Sequence, residues 1–353
     1  MFIILLNIFF IFWLISCDTC EINSPDSGIA SERLYFTSII SNTNNPNIYY
    51  VKLNNGEPIE IIQNSILYSK PSENGIICYI SKNKDGLKEL YTFNINNKRS
   101  TFITKESPIY DINNPIISND GLKIAFSSEN KLIVYNNDNS NSFNLITNNL
   151  AINSEYLFSL DSKYLALFEE EKNNINLKII DANNLNQVIT VFSKSESNIN
   201  KNQINDIISW DNKNNLFYSI NKNDTSKIVI INLSTKNSEE IKLINPNINF
   251  YNAEISYDGN YLAFINKDDN LWIMTLASKD FRFFKITNYA FEQELSNISW
   301  SKNNQYVSFL LKNKLSENNF KILFKADINY INNLIQAKSI DLISNNVFKG
   351  FIN

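Results

Sequence analysis

The chain of 353 residues is long enough to bury a large core, and its hydrophobic fraction of 43% and aromatic fraction of 13% exclude a disordered chain. With 32 Lys and Arg residues against 36 Asp and Glu residues, the formal net charge is −4 and no basic block stands out, so a nucleic-acid partner is not expected. The sequence contains no histidine, which excludes Ser-His-Asp and Cys-His nucleophile systems, His-ligated zinc and imidazole general bases.

The first residues form an apolar run from Phe2 to Ile15 that only Asn7 interrupts. This run is shorter than the roughly 20 residues of a membrane-spanning helix and suits the hydrophobic stretch of a secretory signal. It ends in Leu14-Ile15-Ser16-Cys17, which resembles the lipobox of bacterial lipoproteins. The resemblance implies that residues 1–16 are a lipoprotein signal peptide and that Cys17 becomes the lipidated first residue. The usual Lys or Arg before the apolar run is missing, so a plain cleaved signal and an uncleaved anchor remain alternatives.

Residues 17–33 then form the lipidated cysteine and a flexible tether, and residues 34–353 form the folded domain. The tether is polar and contains Pro25 and Gly28, so it spans roughly 20–25 Å and keeps the domain near the membrane. Two further cysteines, Cys20 and Cys78, remain after processing. Cys78 lies in an apolar strand and is interpreted as a small core residue, with a Cys20–Cys78 disulfide as the alternative.

The folded region repeats one short motif. Residues 117–126 (Ile-Ser-Asn-Asp-Gly-Leu-Lys-Ile-Ala-Phe) reappear as residues 255–264 (Ile-Ser-Tyr-Asp-Gly-Asn-Tyr-Leu-Ala-Phe), and weaker copies lie at 158–167, 300–309, 210–213 and 72–75. A second, β-rich element follows each of these six copies and also occurs once before the first copy, so that the seven elements begin at Ile48, Leu90, Leu132, Leu177, Ile228, Leu271 and Phe320. A third element, an apolar residue before Thr, ends several units, at Ile103-Thr104, Ile146-Thr147, Ile189-Thr190 and Ile286-Thr287.

Units of about 45 residues, each with four short strands between Asn, Asp, Gly or Ser turns, are typical of propeller blades. The sequence therefore predicts an all-β propeller of four-stranded blades, most simply with seven blades and alternatively with six. The first unit lacks a leading strand, and the final strand Val347–Ile352 falls where one is due. We expect the N- and C-terminal strands to pair and close the ring. Because glycine is scarce, Asn pairs are expected to make the turns, for example Asn96-Asn97 and Asn303-Asn304.

The repeats resemble those of TolB-like propellers, which are relatives of the WD-repeat propellers. The resemblance rests on Ile-Ser-x-Asp-Gly-x-x-Leu-Ala-Phe, on Asn270-Leu271-Trp272-Ile273-Met274-Thr275-Leu276 and on Lys285-Ile286-Thr287. It covers about residues 34 to 340, and only the units at Ser118 and Ser256 match closely. The separate amino-terminal α/β domain of TolB is not predicted here.

The resemblance implies a non-enzymatic scaffold that binds other proteins of the cell envelope of a two-membrane bacterium. The expected partners are those of an outer-membrane protein assembly complex or a Tol–Pal-like complex, with the periplasmic side of the outer membrane as the favoured location. No cofactor, metal or catalytic residue is predicted. Cys17 is the one predicted site residue, and its lipid anchor is the expected contact with the membrane.

Two other functions remain as alternatives. A calcium- or carboxylate-dependent hydrolase would use the acidic residues Glu169-Glu170-Glu171, Asp268-Asp269, or Glu292 and Glu294, which are interpreted as exposed hairpin or connection residues. A sugar or peptide receptor would use Trp210, Trp272 and Trp300. Trp210 and Trp300 occupy equivalent repeat positions, which favours core packing for both.

Overall fold

The computed structural model describes residues 33–352 except 40–45, 54–56, 106–108, 110, 139, 152–154, 172–173, 194–206, 223–224, 236, 243–249, 277–280, 290–292, 316–320 and 332–333. The regular structure of these residues consists of β-strands alone, as predicted. No helix in this part of the chain has the length and apolar character needed to cross a membrane.

The strands of the first half are β1 (Arg33–Ser38), β2 (Asn47–Lys52), β3 (Ile59–Ile62), β4 (Ser65–Leu67), β5 (Ile76–Lys82), β6 (Lys88–Asn94), β7 (Arg99–Phe102), β8 (Ile112–Ile117), β9 (Lys123–Ser128), β10 (Lys131–Asn136), β11 (Phe143–Thr147), β12 (Tyr156–Phe158), β13 (Tyr164–Glu171), β14 (Asn174–Asp181) and β15 (Val188–Ser193). Those of the second half are β16 (Ile207–Trp210), β17 (Asn215–Lys222), β18 (Thr225–Asn232), β19 (Asn237–Lys242), β20 (Phe250–Ile255), β21 (Tyr261–Asn266), β22 (Leu271–Thr275), β23 (Phe283–Lys285), β24 (Gln293–Trp300), β25 (Tyr306–Asn313), β26 (Lys321–Ile331) and β27 (Leu334–Ile352).

The strands form seven antiparallel four-stranded blades in a ring, which confirms the predicted propeller and its seven blades. We name the strands of each blade a to d from the channel outwards. Blades 2 to 6 are β4–β7, β8–β11, β12–β15, β16–β19 and β20–β23, each in chain order. Blade 7 is β24, β25, β26 and the first part of β27, and blade 1 is the last part of β27 with β1, β2 and β3.

The ring is closed by the two ends of the described chain. The final residues of β27 pair with β1, with Ile352 opposite Leu34 and Val347 opposite Ser38. The earlier part of β27 pairs with β26 as the outer strand of blade 7. One continuous strand therefore serves two blades, and the predicted pairing of the terminal strands is confirmed.

The core is divided into seven apolar clusters, one in each gap between neighbouring blades, including the gap between blades 7 and 1. Alternation along the b strands explains this division, because successive side chains of a strand point to opposite faces. In β21, Leu262 and Phe264 pack towards blade 5, whereas Ala263 and Ile265 pack towards blade 7. The repeated Leu-Ala-Phe motif is thus buried on both faces, since a blade has a neighbour on each side.

The third repeated element anchors the outer strand to the c strand. The hydroxyl of Thr287 accepts a hydrogen bond from the backbone N–H of Leu271 at 2.9 Å, and the hydroxyl of Thr104 accepts one from the backbone N–H of Leu90 at 3.3 Å. In blade 4 the register differs, because Thr190 lies opposite Ile179 and Phe192 lies opposite Leu177. The Ile189-Thr190 pair is therefore not equivalent to the others, and its assignment to the third element is wrong.

Candidate functional site

The turns that join strand a to strand b share one hydrogen-bonding scheme. In blade 3 the hydroxyl of Ser118 donates to Oδ1 of Asp120 at 2.6 Å and accepts the backbone N–H of Lys123 at 2.9 Å. The backbone N–H of Gly121 donates to the carbonyl of Ser118 at 2.8 Å and closes the turn. The same side-chain bond joins Ser159 to Asp161, Ser256 to Asp258 and Ser301 to Asn303. The repeated Ser and Asp side chains therefore fix turns, as the sequence predicted.

The fourth residue of each turn lies in the left-handed region. These residues are Gly75, Gly121, Ser162, Asn214, Gly259 and Asn304, with φ between 59° and 77°. Two of the glycines also allow close approach of the preceding blade. A Cβ on Gly259 would lie 2.7 Å from Oδ2 of Asp211, and one on Gly121 would lie 2.9 Å from Cδ1 of Ile76. Glycine at these positions thus permits both the backbone conformation and the packing of one turn on the next.

Hydrogen bonds connect each turn to the turn of the next blade. They run from the Glu73 N–H to the Asn119 carbonyl (2.8 Å), from Asn119 Nδ2 to the Leu160 carbonyl (2.8 Å), from Asn214 Nδ2 to Asp161 Oδ2 (2.8 Å), from the Asn212 N–H to the Tyr257 carbonyl (3.1 Å) and from the Tyr257 N–H to Asn304 Oδ1 (3.0 Å). We call residues 72–75, 118–121, 159–162, 211–214, 256–259 and 301–304 the turn belt. It links the six turns of blades 2 to 7 at one end of the ring.

The carboxyl group of Asp161 illustrates the electrostatics of the belt. Burial acts to raise its pKa, but hydrogen bonds from the Ser159 hydroxyl, the Lys163 N–H and the Asn214 side chain outweigh burial and hold the pKa below its usual range. The carboxylate accepts bonds from its own turn and from that of the next blade. Its charged form is therefore favoured by the assembled ring.

Blade 1 has no such turn, because its a and b strands come from opposite ends of the described chain. Here an ion pair closes the belt: Nζ of Lys302 in blade 7 lies 3.3 Å from Oε1 of Glu73 in blade 2. Both side chains are about half exposed, so the pair contributes little to stability, about 0–1 kcal/mol. The contact nevertheless shows that the turns of blades 7 and 2 meet over blade 1.

A second ion pair lies at the mouth of the central channel, at the belt end. Lys70, which follows the inner strand of blade 2, contacts the carboxylate of Glu254 on the inner strand of blade 6. Glu254 Oε2 also accepts the backbone N–H of Trp300 at 3.1 Å, and Lys70 Nζ lies 3.5 Å from the Trp300 carbonyl. Blades 7 and 1 separate blades 2 and 6 in the ring, so Lys70 reaches across the channel. We call Lys70, Glu254 and Trp300 the channel-mouth cluster, which is the candidate functional site.

This arrangement matches known propellers in structure. TolB from Acinetobacter baumannii is 12% identical, with 91% of this chain and 82% of that chain covered and a TM-score of 0.50. The chain has the fold of a TolB-like propeller. A protein from Lactobacillus plantarum is 9% identical, with 91% and 99% covered and a TM-score of 0.60, and an oligogalacturonate lyase in complex with manganese is 11% identical, with 79% and 80% covered and a TM-score of 0.54. At these identities the likeness establishes the fold alone. No protein-family model and no curated protein sequence matches the chain.

Two of the three candidate tryptophans are core residues of the TolB-like propeller, as predicted. Trp210 is 1% exposed and Trp300 is 3% exposed. Each indole N–H donates to a backbone carbonyl in the inner strand of the preceding blade, Trp210 to Leu157 at 3.2 Å and Trp300 to Glu254 at 3.1 Å. Their repeated position therefore serves to join blades. Trp272 differs, because it is half-buried and its indole donates to Oδ1 of Asp268 at 3.0 Å.

The structure corrects the prediction that the candidate acids are exposed. Glu169 lies within β13 and is 6% exposed, where it contacts the hydroxyl of Thr147 and the ammonium group of Lys178. Asp269 is 9% exposed and pairs with Lys314 of blade 7 at 2.5 Å. Strand pairing and neighbouring blades bury positions that a lone hairpin would leave in water.

The remaining acids are spread over different blades. Asp268 pairs with Lys285 at 2.8 Å in blade 6, and Glu294 lies within the inner strand β24 opposite Lys312, not in a connection between blades as predicted. Glu170 belongs to β13, and so does the backbone of Glu171. Glu292 lies outside the described residues. The structure thus places Asp268, Asp269 and Glu169 in ion pairs with lysines. The described members of the three candidate sets, 169–171, 268–269 and 294, lie in blades 4, 6 and 7.

The cysteines fall into two classes. Cys78 is fully buried with a free thiol, its sulfur lies 3.4 Å from the Ser69 hydroxyl, and burial raises its pKa to about 12. Its interpretation as a core residue is confirmed. Cys17, the predicted lipidation site, and Cys20 lie outside the described residues, so the anchor stays a prediction. The free thiol of Cys78 favours its interpretation as a core residue over the alternative Cys20–Cys78 disulfide.

No motif or spacing in the sequence marks Lys70, Glu254, Glu73 or Lys302 as a functional residue. Glu73 and Lys302 occupy variable positions inside weaker copies of the repeat, whereas Lys70 lies just before such a copy and Glu254 on an inner strand, so no shared pattern marks the four residues. Their partners are far apart in sequence, and only the closed ring brings them together. The one available cue was the missing turn of blade 1, which implies that blades 7 and 2 approach each other over it.

Proposed function

We propose that the chain is a lipid-anchored, non-enzymatic interaction scaffold of the cell envelope of a two-membrane bacterium. Its partners are proteins of an outer-membrane protein assembly complex or of another envelope complex such as Tol–Pal. Cys17 carries the anchor, and the periplasmic side of the outer membrane is the proposed location. The fold shared with TolB is consistent with this proposal.

The observation that carries the proposal is the turn belt. Its turns are fixed by internal hydrogen bonds and by bonds to the next blade, and the Lys302–Glu73 pair completes it over blade 1. A preorganised surface loses little conformational entropy on binding, which favours a protein partner. At the centre of this surface, Lys70 and Glu254 offer one ammonium and one carboxylate group to a partner that approaches the channel.

The lysine partners of the acids support a binding role over hydrolysis. A glycoside hydrolase needs two carboxyl groups on either side of one bond, roughly 5–10 Å apart and free to exchange protons. Asp268 and Asp269 are each held by a lysine, and Glu169 is buried against Lys178. These ion pairs join neighbouring strands or blades, and none of them places two carboxyl groups on either side of one bond.

Affinity purification through a carboxyl-terminal tag tests the proposal. Cells expressing the tagged chain, and cells expressing its Cys17→Ala variant, are cross-linked, and the captured proteins are quantified by mass spectrometry. We expect envelope proteins to be enriched with the native chain and depleted with the variant, which loses its anchor. If neither form captures an envelope protein while the purified chain shows calcium-dependent hydrolysis of sugars or lactones, the proposal is wrong.

A sugar or peptide receptor is the second candidate, and Trp272 is the observation that favours it. Its half-buried ring is held by Asp268, and Nζ of Lys285 lies 5.8 Å from the ring centroid. A fixed aromatic face of this kind can stack on a sugar or a side chain. Binding of oligosaccharides that quenches tryptophan fluorescence, and is lost in Trp272→Ala but not in a Tyr257→Ala control, would favour this alternative.

A further inference from the structure

The tether joins the propeller at the belt end of the ring. Strand b of every blade begins at this end, because it follows the turn from strand a. In blade 1 strand b is β1, which begins at Arg33, opposite Lys52. The residues that lead to Cys17 therefore enter beside the gap in the turn belt, at the edge of blade 1.

Exposed apolar side chains accompany this entry point. Tyr330 and Leu334 belong to the hairpin between β26 and β27 and are 37% and 59% exposed, and Ile59 at the start of β3 is 47% exposed. All three lie at the belt end of blades 7 and 1, because the c and d strands also join at this end. The two blades touch here, since Nζ of Lys325 in blade 7 donates to the carbonyl of Leu53 in blade 1 at 3.1 Å.

The hairpin extends past its neighbouring strand. The last residue of β26 that pairs with β25 is Asp327, whereas β26 and β27 remain paired as far as Ile331 and Leu334. Tyr330 folds towards the belt, where its hydroxyl donates to the Asn304 carbonyl at 2.6 Å and its ring lies 4.9 Å from that of Tyr261. The hairpin is thus fixed to the belt and presents Leu334 beyond β25.

Three basic side chains lie among these apolar residues, although two exposed acids, Glu57 and Glu60, lie on either side of Ile59. Arg33 and Lys52 lie side by side at the start of β1 and the end of β2, and Lys338 lies in β27 close to the hairpin. Lys52 and Lys338 are exposed. Apolar side chains mixed with basic ones are typical of surfaces that rest on anionic lipid headgroups. We call Arg33, Lys52, Ile59, Tyr330, Leu334 and Lys338 the anchor-side patch.

We propose that the anchor-side patch lies against the anionic lipid headgroups of the membrane that holds the anchor. The ring then rests on the membrane by the edge formed by blades 7 and 1, which leaves the turn belt of blades 3 to 5 open to a protein partner. The opposite end of the ring, which carries the b–c hairpins with exposed Leu87 and Leu315, faces away from that membrane. This proposal rests on the lipid anchor of the proposed function. It adds an orientation, because one acylated cysteine on a flexible tether would otherwise leave the propeller free to turn.

Depth-dependent quenching tests the orientation. The full-length lipidated chain, with Cys20→Ser, receives one cysteine at Leu334 or Ile59 in the anchor-side patch, or at Leu87 or Leu315 at the opposite end. Each cysteine carries an environment-sensitive fluorophore, and Cys78 is too buried to react. The proteins are reconstituted in vesicles of phosphatidylethanolamine and phosphatidylglycerol, with and without spin-labelled lipid.

We expect the spin-labelled lipid to quench the probes at Leu334 and Ile59 at least about twofold more than those at Leu87 and Leu315. The difference should shrink with Lys52→Glu and Lys338→Glu together, and in vesicles of phosphatidylcholine alone. Equal quenching at both ends, or stronger quenching at Leu87 and Leu315, overturns the orientation while leaving the anchor intact. If the chain and its Cys17→Ala variant both fail to float with the vesicles, the anchor itself is wrong and the orientation falls with it.

Discussion

Lys302 of blade 7 and Glu73 of blade 2 meet across a blade that lies between them, with Nζ and Oε1 3.3 Å apart. Blade 1 is built from both ends of the described chain, so it has no turn of its own at this position. The Lys302–Glu73 ion pair therefore joins the turns of blades 7 and 2 across blade 1. The Lys70–Glu254 ion pair joins the inner-strand regions of blades 2 and 6 on either side of blades 7 and 1. They differ in burial, and this difference leads to unequal predicted effects on stability.

The more buried of the two ion pairs, Lys70–Glu254, should contribute more to the free energy of unfolding. Glu254→Ala removes the acceptor of the Trp300 N–H and the partner of Lys70, and we expect it to lower the free energy of unfolding by about 2 kcal/mol. Lys302→Ala, the matched exposed change, should cost less than about 0.5 kcal/mol. Urea unfolding followed by tryptophan fluorescence measures both. Equal effects of the two variants would show that the channel-mouth cluster does not hold the ring together.

Alanine substitutions at two glycines distinguish the cost of backbone strain from the cost of a steric clash between turns. Gly86 has φ of +79° with nothing within 4 Å of its would-be Cβ, so Gly86→Ala should cost about 1 kcal/mol from backbone strain alone. Gly259 has nearly the same φ, +77°, but its Cβ would meet Asp211 of the preceding blade. Gly259→Ala should therefore cost about 3 kcal/mol, because one of the two turns must shift. If thermal unfolding shows equal losses, the turns of blades 5 and 6 are not in close contact.

Ring closure can be tested within one strand. Val347 is fully buried in the cluster between blades 7 and 1, whereas Leu342, also in β27, is 55% exposed. Val347→Asp places a carboxylate in this cluster and should cost about 4 kcal/mol or more, with aggregation on size-exclusion chromatography. Leu342→Asp should change stability by less than about 0.5 kcal/mol. A soluble, stable Val347→Asp variant would contradict closure by the terminal strand.

Cys78 should respond to alkaline pH. Burial raises its pKa from 9.0 to about 12, so the folded chain holds the thiol proton more tightly than the unfolded chain does. Its contribution to stability is thus complete below pH 9 and is lost as the pH rises towards 12. In a Cys17→Ala, Cys20→Ser background Cys78 is the sole thiol, and it should react with a thiol reagent at pH 8 only after urea unfolding. Rapid reaction of the native chain would show that the gap between blades 2 and 3 is open to water.

The repeat pattern predicted most of the fold because each of its residues is required by one turn or by one strand of a blade. Ser118, Asp120 and Gly121 are dictated by one turn, and the Leu-Ala-Phe alternation by burial on both faces of a blade. The position of Val347 followed from the period of the repeat. That β27 runs unbroken from the outer strand of blade 7 into the inner strand of blade 1 did not follow, because Asn345-Asn346 between the two parts resembles the Asn pairs that are expected to form turns.

The residues of the channel-mouth cluster could not be predicted from the sequence repeat. Lys70 and Glu254 are not equivalent residues of two blades, so no periodicity relates them. Glu169 and Asp269 were expected in water because they follow or end a strand, but a neighbouring blade or strand supplies Lys314 or Lys178 and buries them. Such burial depends on how the blades stack, which a single sequence does not encode in any short pattern.

Whether Cys17 holds the propeller at a membrane decides the functional account. Intact-mass spectrometry of the mature chain, purified from the membrane fraction, tests this most directly. We expect a chain that begins at Cys17 and carries acyl groups, and a Cys17→Ala variant that leaves the membrane fraction. A mature chain that retains residues 1–16, or one that is cleaved elsewhere and carries no lipid, would contradict it.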